Sequence, residues 1–350
     1  MKFNKEICIG KKLISENSAT FIIAEAGVNH NNDLGLAKEM IDIAAEASAD
    51  AIKFQTFKTE SLIIPDIEKA PYQKATTGKK ESQYEMLKKL EMDMKSFVEL
   101  KRHCDRKGII FLTTPFDDAS LEDLSCMKLD AYKVSSTDIT NIPFLEKVAG
   151  KKKPIILSSG MSYMSEIEIA LKTIGAINAD CILLQCTSNY PTSADEVNLN
   201  VITAFRERFD MLIGFSDHTV GIGASPYALP MGAKVIEKHF TVDKKSAGPD
   251  HKASLSPEDL RNFVRTIREV EKYMGVFEKY PAMSEMHTRK SLQKCIVASA
   301  AIRSGEIFSV KNLCAKRTGG IGISPIYFEK VLGVKADKNY KPNDIIEINE

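Results

Sequence analysis

Short runs rich in isoleucine, valine and leucine recur along the chain, each closed by a polar tip and followed by a stretch of helical period. They read FIIAEAG at 21–27, AIKFQTF at 51–57, IIFLTTPF at 109–116, AYKVSS at 131–136, PIILSSG at 154–160, CILLQCT at 181–187, LIGFSDHT at 212–219 and KVIEKHF at 234–240. Between them lie amphipathic segments such as LGLAKEMIDIAAEASA at 34–49 and MKSFVELKRHCDRKG at 94–108. A run that is apolar at nearly every position cannot have one wet face. It predicts a strand covered on both sides, as in a parallel sheet with helical crossovers. Eight such units within roughly 250 residues fit a closed (β/α)8 barrel better than an open doubly wound sheet. The earlier ICIGKKLISE at 7–16 predicts a short hairpin that closes the barrel's bottom.

The pattern changes near residue 280. Residues 1–279 are expected to form the α/β barrel with its hairpin, 280–290 a linker, and 291–350 a small β-rich domain with Gly-rich turns (RSGE, TGGIG). An extended connector over 276–290 would reach up to ~50 Å at ~3.3 Å per residue. Lys and Arg number 48 against 47 Asp and Glu, a net charge of +1. That balance gives no polyanion-binding surface, so nucleic acid is not an expected partner. No apolar run reaches the roughly 18–20 residues of a membrane span, and MKFNKEICIG lacks the apolar core of a secretory signal. Seven cysteines without a C-x-x-C spacing argue against a disulfide framework or structural zinc and fit a reducing cytoplasm.

Chemistry in a barrel of this kind gathers where the strands end, because those ends and their loops converge on one face. The closing residues form a coherent set. They are Glu25, Asn29 and His30; Lys53 and Gln55; Thr113 and Thr114; Lys133, Ser136 and Asp138; Ser158 and Ser159; Ser188, Asn189 and Tyr190; Ser216, Asp217 and His218; Glu237 and His239. Lysines inside apolar strands are unusual without a partner. Lys53 and Lys133, ringed by hydroxyls, predict a pocket for phosphate or carboxylate. A single histidine at a strand end is commonly just hydrogen-bonded structure. Two on adjacent strands, His218 and His239, can hold one divalent metal and leave positions open for substrate.

These residues resemble the sialic acid synthases, including the bacterial synthases of N-acetylneuraminate and legionaminate. The matching motifs are AEAGVNHNND (24–33), IKFQTFK (52–58), TTPFD (113–117), YKVSSTD (132–138), ILSSGM (156–161), QCTSNYPT (185–192), GFSDHT (214–219) and IEKHFTVDKKSAGPDHKASL (236–255). Residues 69–91 are similar to the loop after the second strand in bacterial members, and the tail at 296–325 looks like the antifreeze-like, or SAF, module. The resemblance implies condensation of phosphoenolpyruvate with the open-chain aldehyde of N-acetylmannosamine, or of its 2,4-diacetamido-2,4,6-trideoxy relative. A nine-carbon 2-keto acid and phosphate result, with Mn2+ or Mg2+ held by His218 and His239. It assigns Lys53, Thr114, Lys133, Ser136, Ser158, Ser188 and Ser216 to phosphoenolpyruvate. Gln55, Asp138, Tyr190 and Asp250 go to the sugar, and Glu25 either orients water or moves a proton. It further implies a domain-swapped homodimer in which Arg317 contacts the sugar's N-acetyl group.

Several positions depart from the family pattern. Ser136-Thr137-Asp138 stands where Ser-Gly-Glu is usual, Gln185 where many bacterial members have His, and Asn32 where glycine is usual. These bear on substrate identity, since the lysines and the histidine pair remain. Two other classes fit less well. An ice- or carbohydrate-binding scaffold gives no reason for such residues at strand ends. A 3-deoxy-octulosonate or heptulosonate phosphate synthase lacks the C-terminal module.

Overall fold

The computed structural model describes residues 2–78 and 80–348. The chain forms two compact units, Met1–Gly275 and Val276–Glu350. The first opens with an antiparallel hairpin of β1 (Glu6–Ile9) and β2 (Lys12–Ser15). Eight strands follow: β3 (Phe21–Gly27), β4 (Ala51–Thr56), β5 (Ile110–Pro115), β6 (Tyr132–Val134), β7 (Ile155–Ser158), β8 (Cys181–Cys186), β9 (Ile213–Asp217) and β10 (Ala233–His239). Their order in the sheet is β5-β4-β3-β10-β9-β8-β7-β6, and β5 and β6 stand side by side to complete the ring. Every ladder in this sheet is parallel. The eight apolar runs are thus the eight staves of a (β/α)8 barrel.

Side chains alternate between the two faces of a strand. In each stave the inward row changes from apolar to polar toward the carboxyl end. In β3 it runs Phe21, Ile23, Glu25; in β4 Ala51, Lys53, Gln55; in β10 Val235, Glu237, His239. The apolar lower half packs into one buried cluster with Ile7, Ile9 and Ile14 of the hairpin, which plugs the bottom. The outward row, including Ile22, Phe54, Phe111 and Phe215, packs under the helices in a second, larger cluster.

Local signals set the helix ends. Leu34–Glu46 starts at Asp33, whose carboxylate accepts from the amides of Gly35 and Leu36. Met94–Lys107 is capped by Asp93 and ends at Gly108 in the left-handed region. Pro257–Met274 begins with a Ser256/Asp259 capping box. One crossover departs from the expected pattern. Between β9 and β10 the only helix is Ser225–Ala228, because Gly221 and Gly223 at positive φ and two prolines leave no room for a longer one. A long excursion after β4 instead carries three helices, Thr59–Leu62, Pro71–Thr77 and Gln83–Leu90.

In the second unit the segment expected to be an extended connector contains the helix Met286–Leu292, which shortens its reach. β11 (Lys294–Ala298) and β12 (Leu313–Arg317) form an antiparallel pair. They pack over a small core that includes Ile296, Phe308, Val331, Tyr340 and Ile346. No helix among the described residues is long and apolar enough to cross a membrane, and the seven cysteines are free thiols.

The hairpin plug yields a stability prediction. Ile9 is fully buried at the barrel bottom. Ile9→Ala should cost about 2–5 kcal/mol, read from chemical denaturation, because the hole it leaves is fenced by strands that cannot collapse into it. An unchanged midpoint would mean the hairpin is not part of the barrel core.

Candidate active site

The polar upper layer opens into a cavity of about 750 Å³ at the carboxyl ends of the strands. Its floor is a lattice of buried charges. Lys53 Nζ lies 2.9 Å from Glu25 Oε2 and 3.6 Å from Glu237 Oε2, while Lys133 Nζ lies 3.9 Å from Glu237 Oε1. Each lysine also has a hydroxyl partner: Lys53 donates to Thr114 Oγ1 at 3.1 Å, and Lys133 to Ser158 Oγ at 2.6 Å. Ser216 donates to Glu237 Oε1 at 2.9 Å, and Gln55 Nε2 approaches Glu25 Oε1 at 3.4 Å. Strand register explains these meetings, since Glu25 pairs with Lys53 across β3 and β4, and Ser216 with Glu237 across β9 and β10.

The two carboxylates titrate far apart. Burial pushes Glu25 up to about 7, with Lys53 opposing and Glu237 adding to the rise. Burial also opposes a charge on Glu237, but Lys133, Lys53 and the Ser216 hydroxyl hold it down at about 2. Glu237 is therefore the permanent anion of the site, and Glu25 the group that changes state near neutrality. At the rim, burial raises Asp250 to about 6 against the pull of His218.

The histidines lie one inward position further along the chain than Ser216 and Glu237, with His218 Nε2 3.4 Å from Ser216 Oγ. Their ring centroids are 5.6 Å apart, and the Tyr190 ring lies 4.1 Å from His218 and 5.5 Å from His239. His218 Nδ1 is 2.7 Å from the Thr187 carbonyl. A carbonyl can only accept, so Nδ1 carries the proton and Nε2 keeps its lone pair. His239 Nδ1 is buried and has no hydrogen-bond partner among the described residues. Burial, and then His218 beside it, keep His239 far below its usual pKa, so it is the neutral, ligating form. Burial also disfavours charge on His218, yet the Cys186 sulfur and the Thr187 carbonyl raise its pKa. A cation bound at Nε2 would compete only with the second proton of the charged ring and would leave the Nδ1 proton donated to the Thr187 carbonyl. The donor set thus fits a divalent cation with two imidazoles as protein ligands and open positions beyond them. Among the described residues, no group of three or more His, Cys, Asp or Glu is arranged to hold a metal.

The remaining expected residues fall into place unevenly. Ser136 and Ser188 line the cavity beside Gly160, where a Cβ would lie 2.8 Å from Ser136 Oγ and 2.2 Å from Ser188 Oγ. Tyr190 and Asp250 also line it. Asp138 does not. Its carboxylate is taken up by Thr137 and Asn141, both at 3.3 Å, and Ser135 and Thr137 face the cavity instead. Asn29 is buried behind the wall, donating to the Phe240 carbonyl and to Ser254 Oγ, each at 2.9 Å. Ser254 Oγ in turn donates to the Asp250 carbonyl, which ties the loop bearing Asp250 to the end of β3. His30 packs on Phe54 outside the cavity, and Asn32 adopts φ 61°, a left-handed turn asparagine tolerates. Arg317 belongs to the second unit, exposed at the end of β12.

Sequence reasoning misses two features of this cavity. It marks Glu237 only as a strand-end residue, although a carboxylate two positions before His239 shares its inward face by period alone. It also gives no sign of the apolar half: Phe57, Leu62, Met86 and Leu87 come from the excursion after β4, and Tyr72 stacks 4.9 Å from Tyr190. Their helical spacing is visible, but what they cover is not.

Residues 40–279 match the NeuB family. A Campylobacter jejuni protein named N,N'-diacetyllegionaminic acid synthase is 47% identical, over 93% of this chain and 98% of its own length. A Legionella pneumophila protein of the same name is 40% identical over 94% of each. The crystal structure of N-acetylneuraminic acid (sialic acid) synthetase from Leptospira borgpetersenii in complex with citrate superposes with a TM-score of 0.74. It is 36% identical and covers 83% of this chain and 98% of its own.

The raised pKa of Glu25 carries a sign. A carboxyl favoured in its protonated form by folding contributes stability that is complete below about 4.5 and is lost as pH rises through about 7. Thermal melts of the wild type should therefore decline from pH 5 to 8 relative to Glu25→Gln, whose neutral amide does not titrate. Parallel curves would mean that Glu25 is ionised throughout.

Proposed function

The chain belongs to the NeuB family and is a sialic acid synthase-like enzyme, and from that premise we propose that it condenses phosphoenolpyruvate with the open-chain aldehyde of an N-acetylated mannosamine. The observation that carries this reading is one cavity lined by two donor sets: paired lysines bearing hydroxyl partners, and two neighbouring histidines.

Lys53 and Lys133, with Thr114, Ser136, Ser158, Ser188 and Ser216, hold the phosphate and carboxylate of phosphoenolpyruvate. Fixed cations and hydroxyls compensate an anion that is otherwise costly to take out of water. His218 and His239 are the residues that would hold Mn2+ or Mg2+, which when bound serves as a Lewis acid toward an aldehyde oxygen. Gln55, Tyr190 and Asp250 orient the sugar. C3 of phosphoenolpyruvate forms the new bond to the aldehyde carbon, whose oxygen becomes a hydroxyl. Water adds at C2, one of its protons balancing the one taken up by the aldehyde oxygen; the C2–O bond to phosphate then breaks as the C2 hydroxyl gives its remaining proton to the leaving phosphate, and the keto group remains. Glu25, poised near neutrality, accepts the proton of the attacking water. The anionic substrate beside it raises its proton affinity further, which favours that role.

Between the two sugars, we favour 2,4-diacetamido-2,4,6-trideoxymannose over N-acetylmannosamine. The names of the Campylobacter and Legionella relatives support this order. So does the apolar half of the cavity, which suits a deoxygenated carbon better than a hydroxyl. Phosphate release from phosphoenolpyruvate, assayed with both aldoses, should be at least about tenfold faster in kcat/KM with the diacetamido sugar. It should stop with EDTA and return with Mn2+. Equal rates would remove the substrate preference, no release with any acylated mannosamine would reject the condensation, and full activity in metal-free protein would reject the histidine role.

We read the second unit as an antifreeze-like module that completes a partner chain's site in a homodimer. Arg317 is exposed, and a guanidinium offers fixed donors to an N-acetyl carbonyl. Arg317→Ala alone should lose most activity. Mixed with His218→Ala in a demonstrated heterodimer, it should recover a fraction, because one site per dimer is then intact. An absence of recovery would rule the shared site out.

A further inference from the structure

We propose that Asp217 and Lys238 are positioning residues: their buried cross-strand ion pair holds β9 and β10 in the register that turns His218 toward His239, and thereby sets the affinity of that pair for a divalent cation. The inference rests on the metal role proposed above for the two histidines.

Each charged residue immediately precedes one of the histidines. Because side chains alternate, Ser216, His218, Glu237 and His239 line the cavity while Asp217 and Lys238 do not, so substrate contact cannot account for them. They lie directly opposite one another in the β9–β10 ladder, Nζ to Oδ2 at 3.0 Å, with side chains 1% and 0% exposed. Lysine is almost never buried so completely without a dedicated partner.

The ladder itself explains why a clasp is needed. Its register shifts between Ala233 and Ile236, so the pairing lower in the barrel does not dictate the pairing at the top. A slip of one residue would turn His239 away from the cavity and Lys238 into it. The ion pair locks the rung next to the histidines, and a shell of donors locks the ion pair. Asp217 Oδ1 accepts from the amide and hydroxyl of Thr219 at 2.8 and 2.6 Å, and Oδ2 from those of Ser225 at 3.0 and 2.6 Å. Lys238 Nζ donates to the Thr219 carbonyl at 2.8 Å. The loop wraps so closely that a Cβ on Gly223, at φ +62°, would fall 1.8 Å from Thr219 Oγ1 and 3.1 Å from Lys238 Nζ. Net stability is a poor reason for such a pair, since well-packed neutral residues commonly serve as well. Specifying one register is a better one.

The test is Mn2+ affinity, followed by the electron spin resonance of free Mn2+ during titration of metal-free protein. Asp217→Asn combined with Lys238→Met removes both buried charges together, so that neither is stranded as it would be by either single change. The double variant should bind Mn2+ about ten- to a hundredfold more weakly, the range seen when the groups that orient metal ligands are lost. Its calorimetric affinity for phosphoenolpyruvate without metal should stay unchanged, because Lys53 and Lys133 are untouched. Wild-type Mn2+ affinity in the double variant would overturn the inference, as would equal losses of Mn2+ and phosphoenolpyruvate affinity, which mark a general structural role. His218→Ala separates the two layers of argument. If it abolishes Mn2+ binding while the double variant retains it, only the clasp is wrong; if it binds Mn2+ normally, the metal role itself is wrong. Should the double variant fail to fold, Asp217→Asn combined with Lys238→Gln removes both charges and keeps hydrogen-bonding groups at both positions. Weakened Mn2+ binding with unchanged phosphoenolpyruvate binding then supports the clasp, and unchanged Mn2+ binding overturns it.

Discussion

Four buried charges at the heart of the barrel, Lys53, Lys133, Glu25 and Glu237, set the terms for everything around them. Each would be expensive to desolvate alone, and removing one partner of such a set typically costs about 3–5 kcal/mol. They coexist because strand register brings opposite charges to the same height, and because Thr114, Ser158 and Ser216 add hydroxyl partners. The cluster is not neutral in its proton affinities. Two lysines hold Glu237 ionised, while burial, with a smaller push from the Glu237 carboxylate, raises Glu25. Two acids separated by a barrel's width of sequence thereby acquire different roles.

The rest of the fold can be understood as support for that layer. Below it, the lower inward rows and the hairpin isoleucines form a buried apolar base beneath the lysines. Above it, the excursion after β4 contributes an apolar wall, so that one cavity combines a floor of buried lysines and carboxylates with a less polar surface. Beside it, Asn29 and Ser254 fasten the Asp250 loop, and Asp217 with Lys238 fasten the histidine strands. These fastening groups are buried and polar, and each sits one residue or one hydrogen bond behind a cavity residue. Local folding rules are strained here, by buried lysines and glycines that admit no Cβ, as is common where a structure serves chemistry.

Much of this architecture is legible in the order of residues along the chain. Hydrophobic period alone locates all eight staves to within about two residues, because a strand covered on both faces admits almost nothing polar. Helix starts at Asp33, Asp93 and Ser256 follow from side-chain chemistry within four residues. The lysines and histidines stand out because their types are wrong for the runs that contain them. The short crossover between β9 and β10 is less legible, since two positive-φ glycines and two prolines outweigh the helical pattern expected of every unit.

What the sequence determined, then, was whatever depends on neighbours along the chain: strand and helix periods, caps, and the polar tips that end each run. The tertiary structure decided whatever depends on neighbours across it. Asp138 and Glu237 are both carboxylates at strand ends. The first folds back onto Thr137 and Asn141, and the second becomes the fixed anion between two lysines. No feature within either segment distinguishes these fates. They are set by ring closure and ladder register, which assign each side chain its height, its face and the charges it meets across the barrel.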